Sequence, residues 1–201
     1  RSTIHRRVHM DYVGVKLVDE AGRLTGELML VGLFTATAYT GSTRLIPYIR
    51  HKVAQVLLRA GLDPASHSGK ALINVLENYP RDELFQLDPE TLYHFAMEAM
   101  RLIERPRIRA LIRADRFDRF VSALVYVPKD RYDTAVRLKI GTYLASLFEG
   151  RVSAAIPAYP EGPLARTHFI IGRNAGPTPV FDQTEIEAAI ADITATWSDR
   201  L

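Results

Sequence analysis

The run Phe120–Pro128, FVSALVYVP, constrains this chain more than any other stretch. Val121, Ala123, Val125 and Val127 alternate with Phe120, Ser122, Leu124 and Tyr126, and both sets are largely apolar. A strand of this kind is buried on both faces, so it needs a layer of structure on each side. The residues after it can supply one. KDRYDT is a charged turn in which Asp133 is placed to cap the next segment's free amides. Val136, Ile140, Leu144 and Leu147 then fall on one helical stripe, and Gly150 is expected to end that helix. VSAAIPAY and ARTHFIIG read as two strands joined at Pro160-Glu161-Gly162-Pro163, a turn. A last helix is capped at Asp182 with Glu185 three residues on, and Ile186, Ala189, Ile190, Ile193 and Trp197 share its face. Strand, helix, strand, strand, helix is most of a split α+β sandwich. The stretch 107–114, in which Ile108, Ala110 and Ile112 alternate with Arg107, Arg109 and Arg113, is expected to supply the missing strand of the same sheet.

Upstream the period changes. Residues 4–17 and 27–38 read as two strands joined through DEAGRLTG, where Asp19, Gly22 and Gly26 form the turn, so residues 1–41 are expected to be a β-hairpin closing a preceding domain. Residues 42–105 carry three helical patterns. Ile46, Ile49, Val53, Val56, Leu57 and Ala60 mark the first, closed by Gly61. Leu72, Val75, Leu76 and Tyr79 mark the second, with Ser68 as its expected cap and Pro80 as its stop. The third starts at Asp88-Pro89, runs through Leu92, Phe95, Ala96, Ala99 and Ile103, and stops at Pro106. Residues 106–201 form the α+β domain.

Chemistry is sparse. The 201 residues hold no cysteine, so disulfides and thiolate metal sites are excluded. His5 and His9 share a strand face but stand about 13 Å apart along an extended chain, and no third ligand is evident, so no metal site is expected. Ser68-Gly69-Lys70 lacks the upstream glycine and strand of a phosphate loop. There is no G-x-G-x-x-G, no G-x-S-x-G and no H-E-x-x-H, and catalytic and cofactor-binding residues are expected to be absent. No apolar run nears the roughly 20 residues of a membrane helix, and a cytoplasmic location is the expectation. The chain opens on Arg1, which suggests a piece of a longer protein.

Seven arginines lie in the stretch 101–119, partly offset by Glu104, Asp115 and Asp118. Two readings stand side by side: the polar face of a strand, or a nucleic-acid patch on a split α+β module. The glycine-aromatic signature of such a module is missing, and nucleic acid is not the expected partner.

Several long phrases in fixed order go further. RSTIHRRVHMDYVGVK, GLFTATAY, GKALINVLENYPRDELFQL, FVSALVYVPKDRYDTAVRLKI and PLARTHFI resemble the large bacterial NAD-dependent glutamate dehydrogenases, from Arg1 to about Arg173. That resemblance implies a ferredoxin-like, ACT-like βαββα domain within an N-terminal regulatory region. It implies a parent enzyme that converts L-glutamate and NAD to 2-oxoglutarate, ammonia and NADH, and a segment that is itself inactive. The implied partners are the rest of the parent chain, further copies of it in an oligomer, and an amino-acid effector. Modules of this type often hold amino acids near the turn between first strand and first helix. The corresponding turn here makes Lys129, Asp130, Arg131 and Asp133 the candidate effector residues. The glycine that many ligand-binding members carry there is absent.

Overall fold

The computed structural model of the protein describes residues 11–174 and 176–195. They fall into two compact units, one ending at Val53 and the other beginning at Ala54. The first opens with an antiparallel hairpin of β1 (Asp11–Val18) and β2 (Leu24–Gly32), with Val15 opposite Leu28. Asp19 shapes its turn: Oδ1 accepts from the amides of Ala21 and Arg23, at 3.0 and 2.8 Å. Gly22 supplies the positive φ of 77°. The second strand stops at Gly32, short of the expected residue 38. Ala36–Thr40 is instead a short helix, α1, entered from Thr35. His5 and His9 lie outside the described residues.

α2 (Ile49–Ala60) turns Ile49, Val53 and Val56 inward as the stripe requires. α3 (His67–Glu77) is capped by Ser66, not Ser68. An Asx turn at Asp63, whose Oδ1 accepts from the Ala65 amide at 2.9 Å, places the Ser66 oxygen 3.0 Å from the Gly69 amide. α3 is over before Pro80. That proline, with φ preset at −55°, stands instead before a further short helix, α4 (Arg81–Gln86), whose first turn holds Asp82 and Glu83. α5 (Pro89–Glu104) begins as read, with the Asp88 carboxylate accepting from the Thr91 amide at 2.9 Å.

The main sheet is antiparallel in the order β3-β4-β6-β5. Its strands are β3 (Arg109–Ala114), β4 (Phe120–Pro128), β5 (Gly150–Ala158) and β6 (Leu164–Arg173). β3 pairs with β4 from Arg109 opposite Tyr126 to Ala114 opposite Val121, so the stretch expected over 107–114 joins this sheet, from Arg109 on and at its edge. α6 (Thr134–Leu147) and α7 (Gln183–Thr194) cover one face. There Val121, Ala123, Val125 and Val127 meet Phe169 and Ile171, with Ile140 and Leu144 from α6 and Ile186 and Ile190 from α7. Trp197, expected on the α7 face, lies outside the described residues.

α6 does not end on Gly150. Phe148 closes the helix, Glu149 takes the left-handed backbone at φ 50°, and Gly150 is already the first residue of β5. A Cβ on Gly150 would stand 2.6 Å from the Gly172 carbonyl oxygen, so close strand approach claims the glycine and the turn falls to its neighbour.

The other face carries Leu111, Arg113, Ser122, Leu124, Tyr126, Arg166 and His168, read from the strand registers. Helices α3 to α5 cover it, tied on by hydrogen bonds from Arg113 to Glu83 and from Arg166 to the Asn78 carbonyl. Among the described residues no helix is long and apolar enough to cross a membrane.

Candidate functional site

The turn after β4 is a single 3-10 turn, Lys129–Arg131, leading into α6. The Asp133 carboxylate accepts from the Val136 amide at 2.7 Å, so it occupies the helix N-terminus. Lys129 is half-buried and doubly held. Its backbone amide donates to the Pro163 carbonyl at 2.8 Å and its Nζ to the Pro160 carbonyl at 2.7 Å. Tyr132 adds an edge-to-face contact with Tyr159, centroids 6.0 Å apart, and its hydroxyl bonds Thr167. Asp130 is exposed and Arg131 half-buried. The structure therefore joins the predicted turn to the loop between β5 and β6, which periodicity alone did not foresee.

This turn does not fit a dinucleotide. A pyrophosphate needs glycine backbone at a free helix N-terminus. Here the connection holds no glycine, and the Asp133 carboxylate already sits on the first amides of α6. Among the described residues no cluster of three or more histidine or acidic side chains is placed to hold a metal ion.

Beneath α3 and α4 lies a buried polar cluster that the sequence reading missed. Arg113 donates from Nε and Nη2 to the two oxygens of Glu83, at 3.1 and 2.8 Å, and Nη2 also reaches Gln86 at 3.0 Å. His168 Nε2 shares a hydrogen bond with Ser122 Oγ at 2.9 Å and stands 3.7 Å from Glu83. Burial pushes the imidazole below its ordinary range. Glu83 pulls the other way, and the nearby Arg166 and Arg113 charges add to the depression. Burial likewise raises Tyr126 and, more strongly, Tyr79, whose hydroxyl has no hydrogen-bond partner among the described residues. The serine hydrogen bond and the nearby carboxylate meet the same imidazole nitrogen, Nε2, and both lie in a buried setting. They do not form a nucleophile–base relay, in which the nucleophile and the orienting carboxylate bond opposite nitrogens of the histidine ring.

Beside this cluster opens a cavity of about 460 Å³. Asn74 and Val75 of α3, Asn78 just after it, and Ala99, Leu102 and Ile103 of α5 form one wall. Tyr126, Arg166 and the loop from Tyr159 to Leu164 form the other. Arg166 crosses between the walls, with Nη1 donating to the Asn78 carbonyl at 2.8 Å. The sequence did carry one signal for this. Arg166 and His168 share a parity in a largely apolar strand, the parity that faces away from α6 and α7.

The arginine-rich stretch is largely paired within the chain. Arg109 meets Glu98 at 2.7 Å and Glu187 at 3.2 Å, and Arg107 reaches Glu98 at 3.7 Å. Arg101 also bonds Glu98, while Arg119 meets Asp115 at 2.7 Å. Burial alone would raise Asp115, but hydrogen bonds from Arg119 outweigh it and hold the carboxyl low.

An antiparallel β3-β4-β6-β5 sheet with two helices on one face, entered through a strand–turn–helix, is an ACT-like α+β domain. A helical segment covers its second face. Residues 46–105 match the description "Glutamate dehydrogenase, helical motif 1", and residues 109–198 match "Glutamate dehydrogenase, ACT2 domain". Over 198 residues the chain is 36% identical to the NAD-specific glutamate dehydrogenase of Halomonas elongata and 37% identical to that of Pseudomonas aeruginosa. The corresponding Mycobacterium tuberculosis protein is 34% identical over 187 residues. These alignments cover 98%, 98% and 87% of this chain, but only 12% of each relative's length. The chain belongs to the glutamate dehydrogenase family.

Proposed function

We propose that the chain is a non-catalytic regulatory and assembly segment of an NAD-dependent glutamate dehydrogenase. Its parent would convert L-glutamate and NAD to 2-oxoglutarate, ammonia and NADH, with the NAD site on other parts of the protein. The observation that carries this reading is the succession of helical motif 1 and ACT2 domain along residues 46–198. In this reading residues 1–41, 42–105 and 106–201 are three parts: a hairpin belonging to a preceding domain, a helical cover and a sensing sheet.

An acidic amino acid would meet the turn of Lys129, Asp130, Arg131 and Asp133, competing with the Pro160 carbonyl for Lys129. Assembly would use the open edge of the sheet. At the β3 edge the Ala110 amide donates to Glu187 of α7 at 3.1 Å, which blunts that strand. β5 keeps Val152 and Ile156 exposed, at 41% and 56%.

Two measurements test the reading. The purified chain should reduce no NAD with glutamate, whereas the full-length protein should. Turnover by the chain alone would overturn the assignment. In the full-length protein, calorimetric heat on adding aspartate should disappear in Arg131→Ala and survive in Arg105→Ala, an exposed arginine away from the turn.

A further inference from the structure

The cavity between the helical cover and the sheet has the size and the mixture of groups of a small-molecule site. Such sites measure roughly 300–1,000 Å³ and combine apolar walls with a few converging polar groups, and this one measures about 460 Å³. Its apolar part is Val75, Leu102, Ile103 and Tyr159. Two of these stay unusually open for such large apolar groups, Ile103 at 55% and Tyr159 at 64% exposure.

Arg166 is the sole cationic side chain on the cavity wall among the described residues. A guanidinium presents five N–H groups, and the Asn78 carbonyl takes one of them at 2.8 Å. One cation offsets one negative charge. A doubly charged phosphate would also stand near Glu161 on the same rim, at an electrostatic cost. A planar carboxylate matches the guanidinium fork and its single charge.

We propose that this cavity binds a small apolar monocarboxylate, with its carboxylate on Arg166 and its hydrocarbon chain against Val75, Leu102, Ile103 and Tyr159. The claim concerns binding and stands apart from the regulatory reading. It also gives the predicted turn a role. Pro160 and Pro163 line the cavity, and their carbonyls are the two acceptors that hold Lys129.

Two sources share the proposed chemistry, α-amino acids and α-oxo acids. The test uses the full-length protein carrying this chain. L-norleucine, 2-oxohexanoate and pentylamine have similar apolar chains, and the last lacks a carboxylate. Affinity is read from the slowing of amide exchange at residues 159–166 as each ligand is titrated, so binding at the parent's catalytic site does not enter it. At least one of the two carboxylates should bind and slow amide exchange at residues 159–166. The tighter of the two identifies the source. Pentylamine should bind at least about tenfold more weakly, the factor expected for losing a charge-assisted hydrogen bond. Arg166→Gln should weaken the carboxylate by about the same factor. Because Arg166 also holds Asn78, a second variant is needed. Ile103→Glu places a like charge on an already exposed wall position and should abolish binding. Leu138→Glu, equally exposed on α6 and outside the cavity, should not. No carboxylate binding at millimolar concentration, equal binding of pentylamine, or unchanged affinity in Ile103→Glu would each overturn the proposal.

Discussion

Arg113 and Glu83 form a two-point ion pair that fastens β3 to α4. Nε meets Oε2 at 3.1 Å and Nη2 meets Oε1 at 2.8 Å, with side chains only 15% and 3% exposed. Both charges have lost most of their water, so the pair's worth lies in its mutual satisfaction. Removing one partner strands the other. Glu83→Ala should cost about 3–5 kcal/mol of stability. The double change Glu83→Leu with Arg113→Met should cost clearly less than the two single changes summed, because no buried charge is left alone. Urea unfolding of all four proteins measures the coupling, and additivity within about 0.5 kcal/mol would refute it.

His168 makes the same interface sensitive to acid. The groups facing it are Ser122 Oγ, Glu83, Arg166 and Arg113, and burial leads the net depression of its pKa. A histidine with a depressed folded pKa takes up its proton more readily when unfolded. Its contribution is therefore complete above the unfolded value of about 6.5 and is lost as pH falls toward the folded value. The slope in that window can reach about 1.4 kcal/mol per pH unit for one proton. Unfolding midpoints at pH 7.5 and 5.5 should diverge in the native chain and converge in His168→Gln, which keeps a hydrogen-bonding side chain without a titratable ring. An undiminished pH dependence in that variant would remove His168 from the account.

What the residues announced was local chemistry and the demand for layers. The doubly apolar β4 required cover on both faces, and it has cover on both. Asp88, Asp133 and Asp182 cap the helices assigned to them. The errors came where two local rules compete or where distant segments meet. Gly150 looked like a helix stop, yet the Gly172 carbonyl needs its bare Cα, so Glu149 bears the positive φ. Ser66 outranked Ser68 because the Asp63 turn fixes where the chain enters α3. The cavity draws on residues near 75, 100 and 160, and no periodicity relates three segments so far apart. Arg166 was visible only as a charge out of place.

Gly69 offers a case in which propensity and packing point in opposite directions. Inside a helix, alanine is favoured over glycine by about 1 kcal/mol. At Gly69 a Cβ would stand 2.0 Å from the Asp63 backbone carbonyl oxygen, which cannot swing aside as a side chain can. Gly69→Ala should therefore destabilise by about 1–3 kcal/mol, as overpacking does. Gly141 of α6 is the comparison. Its added Cβ would meet the Val152 and Phe169 side chains at 3.2 and 3.4 Å, and Gly141→Ala should change stability by less than about 1 kcal/mol. Thermal unfolding of the two variants decides the matter, and a stabilised Gly69→Ala would contradict the close backbone contact.

The tie between Lys129 and Pro160 makes the last prediction, because it separates a structural lysine from one that responds to a ligand. Lys129→Met keeps the aliphatic stem and removes the ammonium. The backbone bond from Lys129 to Pro163 remains, so the loop should loosen without unfolding the domain. A charge-assisted hydrogen bond to a half-exposed group should be worth about 1 kcal/mol after solvent screening. Amide exchange at residues 159–164 should quicken accordingly, by about fivefold. If an acidic effector draws Lys129 toward itself, aspartate added to the full-length protein must produce the same quickening. In Lys129→Met it must then produce none, since the tie is already gone. Aspartate that quickens exchange equally in both proteins acts elsewhere, and exchange that is unchanged by the substitution would show that the Lys129–Pro160 bond does not hold the loop.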